Sequence, residues 1–266
     1  MKGLFLLMSF MTRLYVPKVE YDELKLGKSM KFFPFIGFII GIFLYFTASF
    51  FLKFTYSLNL TIVFVILLEI ILTGGIHLDG LADTFDGIFS YRSKQKMLEI
   101  MKDSRIGTNG VLALIMYFLL KFVLLQTIAQ ILGMEYFLYV VFTYPIVARF
   151  CSVVSCASAP YARASGMAKT FIENTDFFSL IVASFLTLIL TQLPLLLASI
   201  SLNLYFHIFI SMIIIFLIML SISYLFSKLM TKKIGGITGD TLGALLELSQ
   251  LLYALLIILS VVGARF

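Results

Sequence analysis

Charge is scarce in this sequence. Only 13% of its 266 residues are Asp, Glu, Lys or Arg, about half the share found in soluble domains. Cysteine is scarcer still. Cys151 and Cys156 lie five positions apart in one apolar segment. That excludes a disulfide framework and supplies no metal pair, so packed thiols are the reading. The N-terminal stretch MKGLFLLMSFMTRLYVP has no small-x-small cleavage site, and Arg13 follows its short apolar run directly. It is expected to be an interfacial amphipathic helix rather than a signal peptide. No internal repeat and no low-complexity linker is evident. The inverted halves of many transporters are therefore not legible.

What fills the chain is hydrocarbon. Hydrophobic residues make up 61% of it and the mean hydropathy is +1.06. Several apolar runs reach about 20 residues, enough to cross a bilayer core as helix. The expected fold is all-α, a polytopic helical membrane protein forming a single domain over residues 1–266. Seven candidate spans fall at roughly 32–52, 58–76, 110–132, 135–157, 177–199, 203–226 and 241–263. Tight turns at 53–57, 133–134 and 200–202 alternate with long polar connections at 77–109, 158–176 and 227–240.

Basic residues follow the same alternation. Sixteen of the 20 sit in the lead-in and the three long connections, whereas Lys53 and Arg265 stand alone on the other side. Lys121 and Arg149 lie within spans. The positive-inside rule then places the N-terminus and the long connections in the cytoplasm and the C-terminus outside the cell membrane. The net charge of +6 suits the anionic headgroups of a lipid bilayer. Nucleic acid is not an expected partner, because the basic residues are spread over four segments.

Against this background GGIHLDGLADTFDG, residues 74–87, stands out. Gly74 and Gly75 allow the second span to end or bend. Asp79, Asp83 and Asp86 are spaced i, i+4, i+7, so on a short interfacial helix they share an arc of about 60°. Like charges so close need a counter-charge or protons. Oxygen-only ligands favour Mg²⁺ or Mn²⁺ over Zn²⁺. The bland alternative is a solvated face, but Leu78, Leu81, Ala82, Phe85 and Ile88 flank the acids and no base lies between them. Glu69 is an acid inside a span, which usually faces a cavity or a partner. With Thr73 and His77 it would form one stripe toward the aspartates, or it is satisfied by a neighbouring helix. His77 is open between metal ligand, acid–base group and substrate contact.

Further polar features map to the same side. GGITGDTLG, residues 235–243, reads as a Gly-rich anion cradle at a helix start or as an ordinary turn. It lacks the Lys-Ser/Thr pair of a Walker loop. Its Gly235 and Gly236 are candidate phosphate contacts and its Asp240 a candidate metal ligand. KDSRIGTNG brings Asp103 and Arg105 to another helix start. Arg149 and Arg163 suit bidentate phosphate recognition, against snorkelling and headgroup contact respectively. Lys121 has no evident partner other than Glu247. Carboxylates, a hard cation and arginines are the equipment of phosphoryl transfer. Midplane ion transport fits less well, because the acids gather at one face.

Two families of membrane phosphotransferases carry comparable equipment. The CDP-alcohol phosphotransferase pattern D-x2-D-G-x2-A-R-x8-G-x3-D-x3-D starts correctly at Asp83-Thr84-Phe85-Asp86-Gly87. It then fails, with Ser90-Tyr91 in place of Ala-Arg and Ile100, Ser104 and Thr108 at the later positions. The chain instead resembles the cobalamin synthase family, the adenosylcobinamide-GDP ribazoletransferases. Glu69, the run Gly74 to Gly87, the block Leu98 to Thr108 and the block Gly235 to Asp240 agree with its motifs in order and spacing. Thr12-Arg13 and Phe33-Pro34-Phe35-Ile36-Gly37 are similar as well.

The resemblance implies transfer of the adenosylcobinamide-phosphate moiety of adenosylcobinamide-GDP to α-ribazole or its 5′-phosphate, with release of GMP. Mg²⁺ would be held by Glu69, Asp79, Asp83, Asp86 and Asp240. Asp83, Asp86 and His77 would be catalytic. Asp103, Arg105, Arg149, Arg163, Gly235 and Gly236 would contact substrate. A second copy of the chain and other enzymes of nucleotide-loop assembly are the protein partners to expect.

Overall fold

The computed structural model describes residues 2–197 and 202–263, and all of its regular elements there are helices. They run in order as α1 (Lys2–Met11), α2 (Glu23–Lys28), α3 (Phe33–Thr55), α4 (Leu58–Thr73), α5 (Ile76–Ile88) and α6 (Lys94–Ile100). Then come α7 (Thr108–Thr127), α8 (Met134–Ser158), α9 (Met167–Glu173), α10 (Phe177–Leu197), α11 (Leu202–Ile234) and α12 (Gly239–Gly263). A 3₁₀ turn, Ser29–Phe32, leads into α3, and a π turn, Ile128–Leu132, ends α7. The expected turn at 200–202 and Arg265 fall wholly or partly outside the described residues.

Among the described residues six helices are long and apolar enough to cross a membrane, and α4 with α5 adds a seventh only when the bent pair is counted as one span. A helix thus stands at each of the seven expected spans, with some boundaries moved. α11 runs on to Ile234, two turns past its expected end at 226, and carries Lys228, Lys232 and Lys233 out of the apolar layer. α8 is the centre of the bundle. From Phe137 to Cys156 it is buried almost without a break. A helix packed on all sides by other helices needs small contacts, and Gly37 and Gly41 of α3 provide them. A side chain at either would strike the α8 backbone at Pro145 or Phe142, the small-xxx-small packing of membrane helices. By contrast, α7 presents Leu112, Ile115, Met116 and Leu119 outward, the face expected toward lipid.

α1 does more than lie on a surface. Leu6, Leu7 and Met11 are buried against the protein, so its apolar stripe docks on the bundle. The segment after it continues the job. The Arg13 amide donates to the Leu72 carbonyl at 2.7 Å, closing one of the open carbonyls at the end of α4.

At Gly74 and Gly75 the chain turns by 91° between α4 and α5. Both glycines have φ in the left-handed region, at +65° and +73°, which two consecutive residues with side chains would not adopt readily. α5 therefore leaves the line of its span and lies across the end of the bundle. The short helices α2, α6 and α9 and the turn into α12 gather at this same loop-rich end.

Candidate functional site

α5 carries its aspartates onto α12. The two helices cross where each has a glycine. A side chain on Gly80 would come within 2.8 Å of the Asp240 carbonyl oxygen, and one on Gly243 within 3.0 Å of the His77 carbonyl oxygen. This close approach sets Asp240, at the start of α12, beside the α5 face. Asp79, Asp86 and Asp240 crowd Asp83, with Arg163 the one opposing cation among these neighbours. Partial burial first, then the charges of those three carboxylates, push the Asp83 carboxyl up to about 7. Arg163 donates to Asp240 at 2.7 Å, and Thr238 donates to the same oxygen at 3.2 Å. The helical spacing thus brings the acids together as expected, and the fold adds Asp240 from across the chain.

Asp86 has a defined task in the fold. Its two oxygens accept the amides of Gly107 at 2.6 Å and Gly110 at 2.9 Å. These are donors at the open start of α7, so Asp86 caps that helix from a neighbouring one. Part of its ligand capacity is committed there. The glycines at 107 and 110 leave room for it, since a side chain on either would meet the carboxylate at 2.5 Å.

Glu69, expected among the metal ligands, is engaged on both oxygens inside the bundle. One oxygen accepts from Lys121 at 2.5 Å and from Tyr144 at 2.8 Å; the other accepts from Gln250 at 2.9 Å. Arg149 lies 3.8 Å away. With both oxygens engaged by cations and donors, Glu69 belongs to a buried network inside the bundle. Lys121, which lacked an evident partner in the sequence, pairs with it and also contacts Tyr117 and Gln250. Glu247 bonds the Tyr117 hydroxyl instead. The stripe through Thr73 also dissolves, because that hydroxyl donates back to the Glu69 carbonyl.

The remaining candidates divide. Asp103 and Arg105 form an exposed pair at 2.7 Å, and the Arg105 hydrogen bonds hold the Asp103 carboxyl down to about 2. Gly235 and Gly236, expected as phosphate contacts, serve a close backbone crossing. A side chain on Gly236 would strike the Pro160 carbonyl, and Ile237 exchanges backbone hydrogen bonds with Pro160 and Ala162 at 2.9 Å. The amides of Gly235 and Thr238 are likewise engaged. These glycines let the 160–163 segment cross close to the start of α12, which delivers Arg163 to Asp240. Arg149 is fully buried in α8, with Nε and Nη2 unpaired. It is no snorkelling surface residue.

His77 opens onto a cavity of about 450 Å³ beside the aspartates. Phe10, Met30, Phe33 and Phe171 form much of its wall, and Asp79, Asp240, Arg163, Ser152 and Lys102 also line it. His77 is buried edge-on to Phe33, and its Nε2 has no partner. Burial, with the nearby Arg149 charge, pulls its imidazole down to about 3, so it is neutral. Ser152 and the Gly80–Gly243 crossing were missed by sequence reading. A glycine inside each of two helical patterns was the available signal for the crossing.

As to a metal, the donors are all oxygen and carry excess negative charge, which suits a hard divalent cation. No three His, Cys, Asp or Glu side chains among the described residues converge as a ready-made cage. A hard cation such as Mg²⁺ commonly takes one or two carboxylates and draws its other ligands from substrate phosphates and water.

No solved structure matches the chain. A sequence model of the family described as cobalamin-5-phosphate synthase matches residues 3–258. An adenosylcobinamide-GDP ribazoletransferase of Fusobacterium nucleatum is 56% identical over 269 residues, covering 96% of each chain. Proteins of the same name from Alkaliphilus oremlandii and Caldanaerobacter subterraneus are each 37% identical, covering 96% and 95% of this chain and 96% of their own. With the family matched from α1 to the last turns of α12, the chain belongs to the cobalamin-5-phosphate synthase family.

Proposed function

We propose that this chain is a membrane-embedded adenosylcobinamide-GDP ribazoletransferase acting in a late step of adenosylcobalamin biosynthesis. The observation that carries the reading is the crossing of α5 and α12, which gathers Asp79, Asp83, Asp86 and Asp240 beside Arg163 at the mouth of a cavity. In the reaction a ribose hydroxyl of α-ribazole attacks the phosphorus attached to the cobinamide arm. The new P–O bond forms as the bond to the bridging pyrophosphate oxygen breaks, and GMP departs with that electron pair. The hydroxyl proton passes to a carboxylate of the cluster.

One or two carboxylates of the cluster, drawn from Asp79, Asp83 and Asp240, would hold Mg²⁺. When bound, it supplies charge neutralisation on the pyrophosphate oxygens and the leaving GMP. Arg163, bonded to Asp240 at 2.7 Å, would lend its positive charge to the donor phosphates. The loop-rich end is assigned to the cytoplasm from the excess of Lys and Arg there, where a water-soluble nucleotide-linked substrate is met.

The test uses purified protein in liposomes with Mg²⁺, adenosylcobinamide-GDP and α-ribazole. GMP and cobamide are expected in equal amounts. Folded protein that yields neither overturns the reading. CMP release from CDP-diacylglycerol would point to a lipid phosphotransferase instead, and substrate-free Mg²⁺ or H⁺ flux to a transporter.

A further inference from the structure

Beside the carboxylates lies a surface of the opposite sign. Residues 88–109 and 226–239 carry eight Lys and Arg against two acids, Glu99 and Asp103. Lys96 and Arg105 take both acids. Lys94, Lys102, Lys232 and Lys233 are exposed and form no ion pair among the described residues. The fold sets these four against the site. α6 packs on the end of α11 and on α5, where a side chain on Gly87 would meet the Met97 carbonyl oxygen at 3.0 Å. At the start of α6 the Lys94 Nζ rests on Gly235, in the turn that brings Arg163 to Asp240. Just past its end Lys102 shares the cavity wall with Asp79, Arg163 and Asp240. Lys232 and Lys233 occupy the last turn of α11, directly before Gly235. Four carboxylates and four lysines thus stand close together without pairing to each other. That arrangement suits a ligand that brings both signs, a cation for the acids and an anion for the lysines.

We propose that the rim formed by Lys94, Lys102, Lys232 and Lys233 docks the phosphates of the nucleotide donor and, after transfer, the phosphate of the nucleotide that leaves. The assignment rests on the transferase reading above and gives the donor a binding surface of its own. The carboxylates by themselves repel a diphosphate. A lysine ammonium is a compact charge with three donors on a flexible stem, which lets it follow a phosphate as its geometry changes. Charge also builds up during the reaction. As the P–O bond breaks, the leaving phosphate takes the electron pair and gains a negative charge, so cations placed there favour departure. Before chemistry, the same field raises the concentration of a polyanion at the cavity mouth. A lipid headgroup offers similar phosphate chemistry. Charge complementarity favours the nucleotide, because Lys94 and Lys102 border the carboxylates and the cavity. A phosphate that arrives with a divalent cation is accommodated there, whereas a bare headgroup meets four acids.

The probe is GMP, with guanosine as its phosphate-free counterpart. Equilibrium dialysis in zwitterionic detergent with Mg²⁺ measures binding of each to wild-type protein and to two double variants, Lys94→Ala with Lys102→Ala and Lys232→Gln with Lys233→Gln. All four lysines are exposed, so both variants are expected to fold and insert normally. The first is expected to raise the GMP Kd and the donor KM by about tenfold, and the second by about threefold. Guanosine binding stays the same in all three proteins, the α-ribazole KM stays within about twofold, and added salt weakens GMP binding to the wild type more than to either variant. Unchanged GMP affinity and donor KM in both variants overturn the docking assignment and leave the transferase reading intact. A defect that appears only in liposomes containing anionic lipid, and vanishes in a purely zwitterionic bilayer, assigns the rim to headgroups and likewise overturns it. Wild-type protein that binds GMP through these lysines yet releases none from the two substrates overturns the transferase reading and keeps the rim as a nucleotide site.

Discussion

Two acids of this chain behave in opposite ways because their surroundings differ. Glu69 sits among Lys121, Arg149, Tyr144 and Gln250, so its charge is matched where water is absent. Removing that charge leaves two buried cations short of a partner. Breaking a buried pair in this way costs about 3–5 kcal/mol in soluble proteins. Glu69→Gln is therefore expected to lower the unfolding temperature in detergent sharply, while the Mg²⁺ concentration needed for half-maximal activity stays unchanged. A shift in the Mg²⁺ requirement with stability intact would return Glu69 to the metal site. Asp83 is crowded by like charges and only half-buried, with its carboxyl at about 7. Folding then takes up a proton at Asp83, so its contribution in chelator-treated protein is most favourable below the ordinary carboxylate range. That contribution falls as the pH rises through 7. Asp83→Asn should accordingly stabilise the chelator-treated protein above pH 7 and not at acid pH, as thermal unfolding at the two extremes will show. With Mg²⁺ as the proposed counter-charge, its binding is expected to tighten as the pH rises through 7.

The element that matters most is α5, and its position depends on two glycine contacts. The Gly74–Gly75 bend turns it across the bundle, and the Gly80–Gly243 crossing seats it on α12. A methyl at Gly80 would meet the Asp240 backbone at 2.8–3.0 Å, where neither helix axis can give without moving the carboxylates apart. Gly80→Ala is expected to insert into the membrane normally yet lose activity by about tenfold to a hundredfold; wild-type turnover would show that the crossing tolerates a shift. Much at this scale was legible in the sequence. Period-3.6 spacing put three aspartates on one face, and the paired glycines announced the bend. What was not legible depends on contacts between distant segments. Asp86 reaches the amides of Gly107 and Gly110, and Lys121 and Gln250 take up the oxygens of Glu69. Gly235 and Gly236 read as an anion cradle because an anion-binding turn and a close backbone crossing use the same residue for different reasons.

At the scale of the whole molecule, α8 is an enclosed axis with lipid-facing helices such as α7 around it, and the short helices collect at one end. The six or seven long apolar helices were readable from apolar run length, because a bilayer leaves few ways to satisfy the backbone. The cavity beside the aspartates was not, since it is built from α1, α3, α5, α8, α9 and α12 together. Topology is open to direct test. Cysteines placed one at a time at Lys53 and Lys233 should react with an impermeant maleimide in opposite circumstances. Lys53→Cys is expected to label in intact cells and Lys233→Cys only after permeabilisation, because the native Cys151 and Cys156 are buried. The reverse pattern would place the carboxylate end outside.

The central claim is that the aspartates of α5 make phosphoryl transfer possible by holding a divalent cation on the pyrophosphate. It is tested most directly by GMP release from adenosylcobinamide-GDP and α-ribazole across a Mg²⁺ titration, comparing wild-type protein with Asp83→Asn in liposomes at equal inserted amounts. The account predicts Mg²⁺-dependent GMP release by the wild type and none above background by the variant at any Mg²⁺ concentration. Turnover by Asp83→Asn equal to wild type, with the same Mg²⁺ dependence, would contradict it.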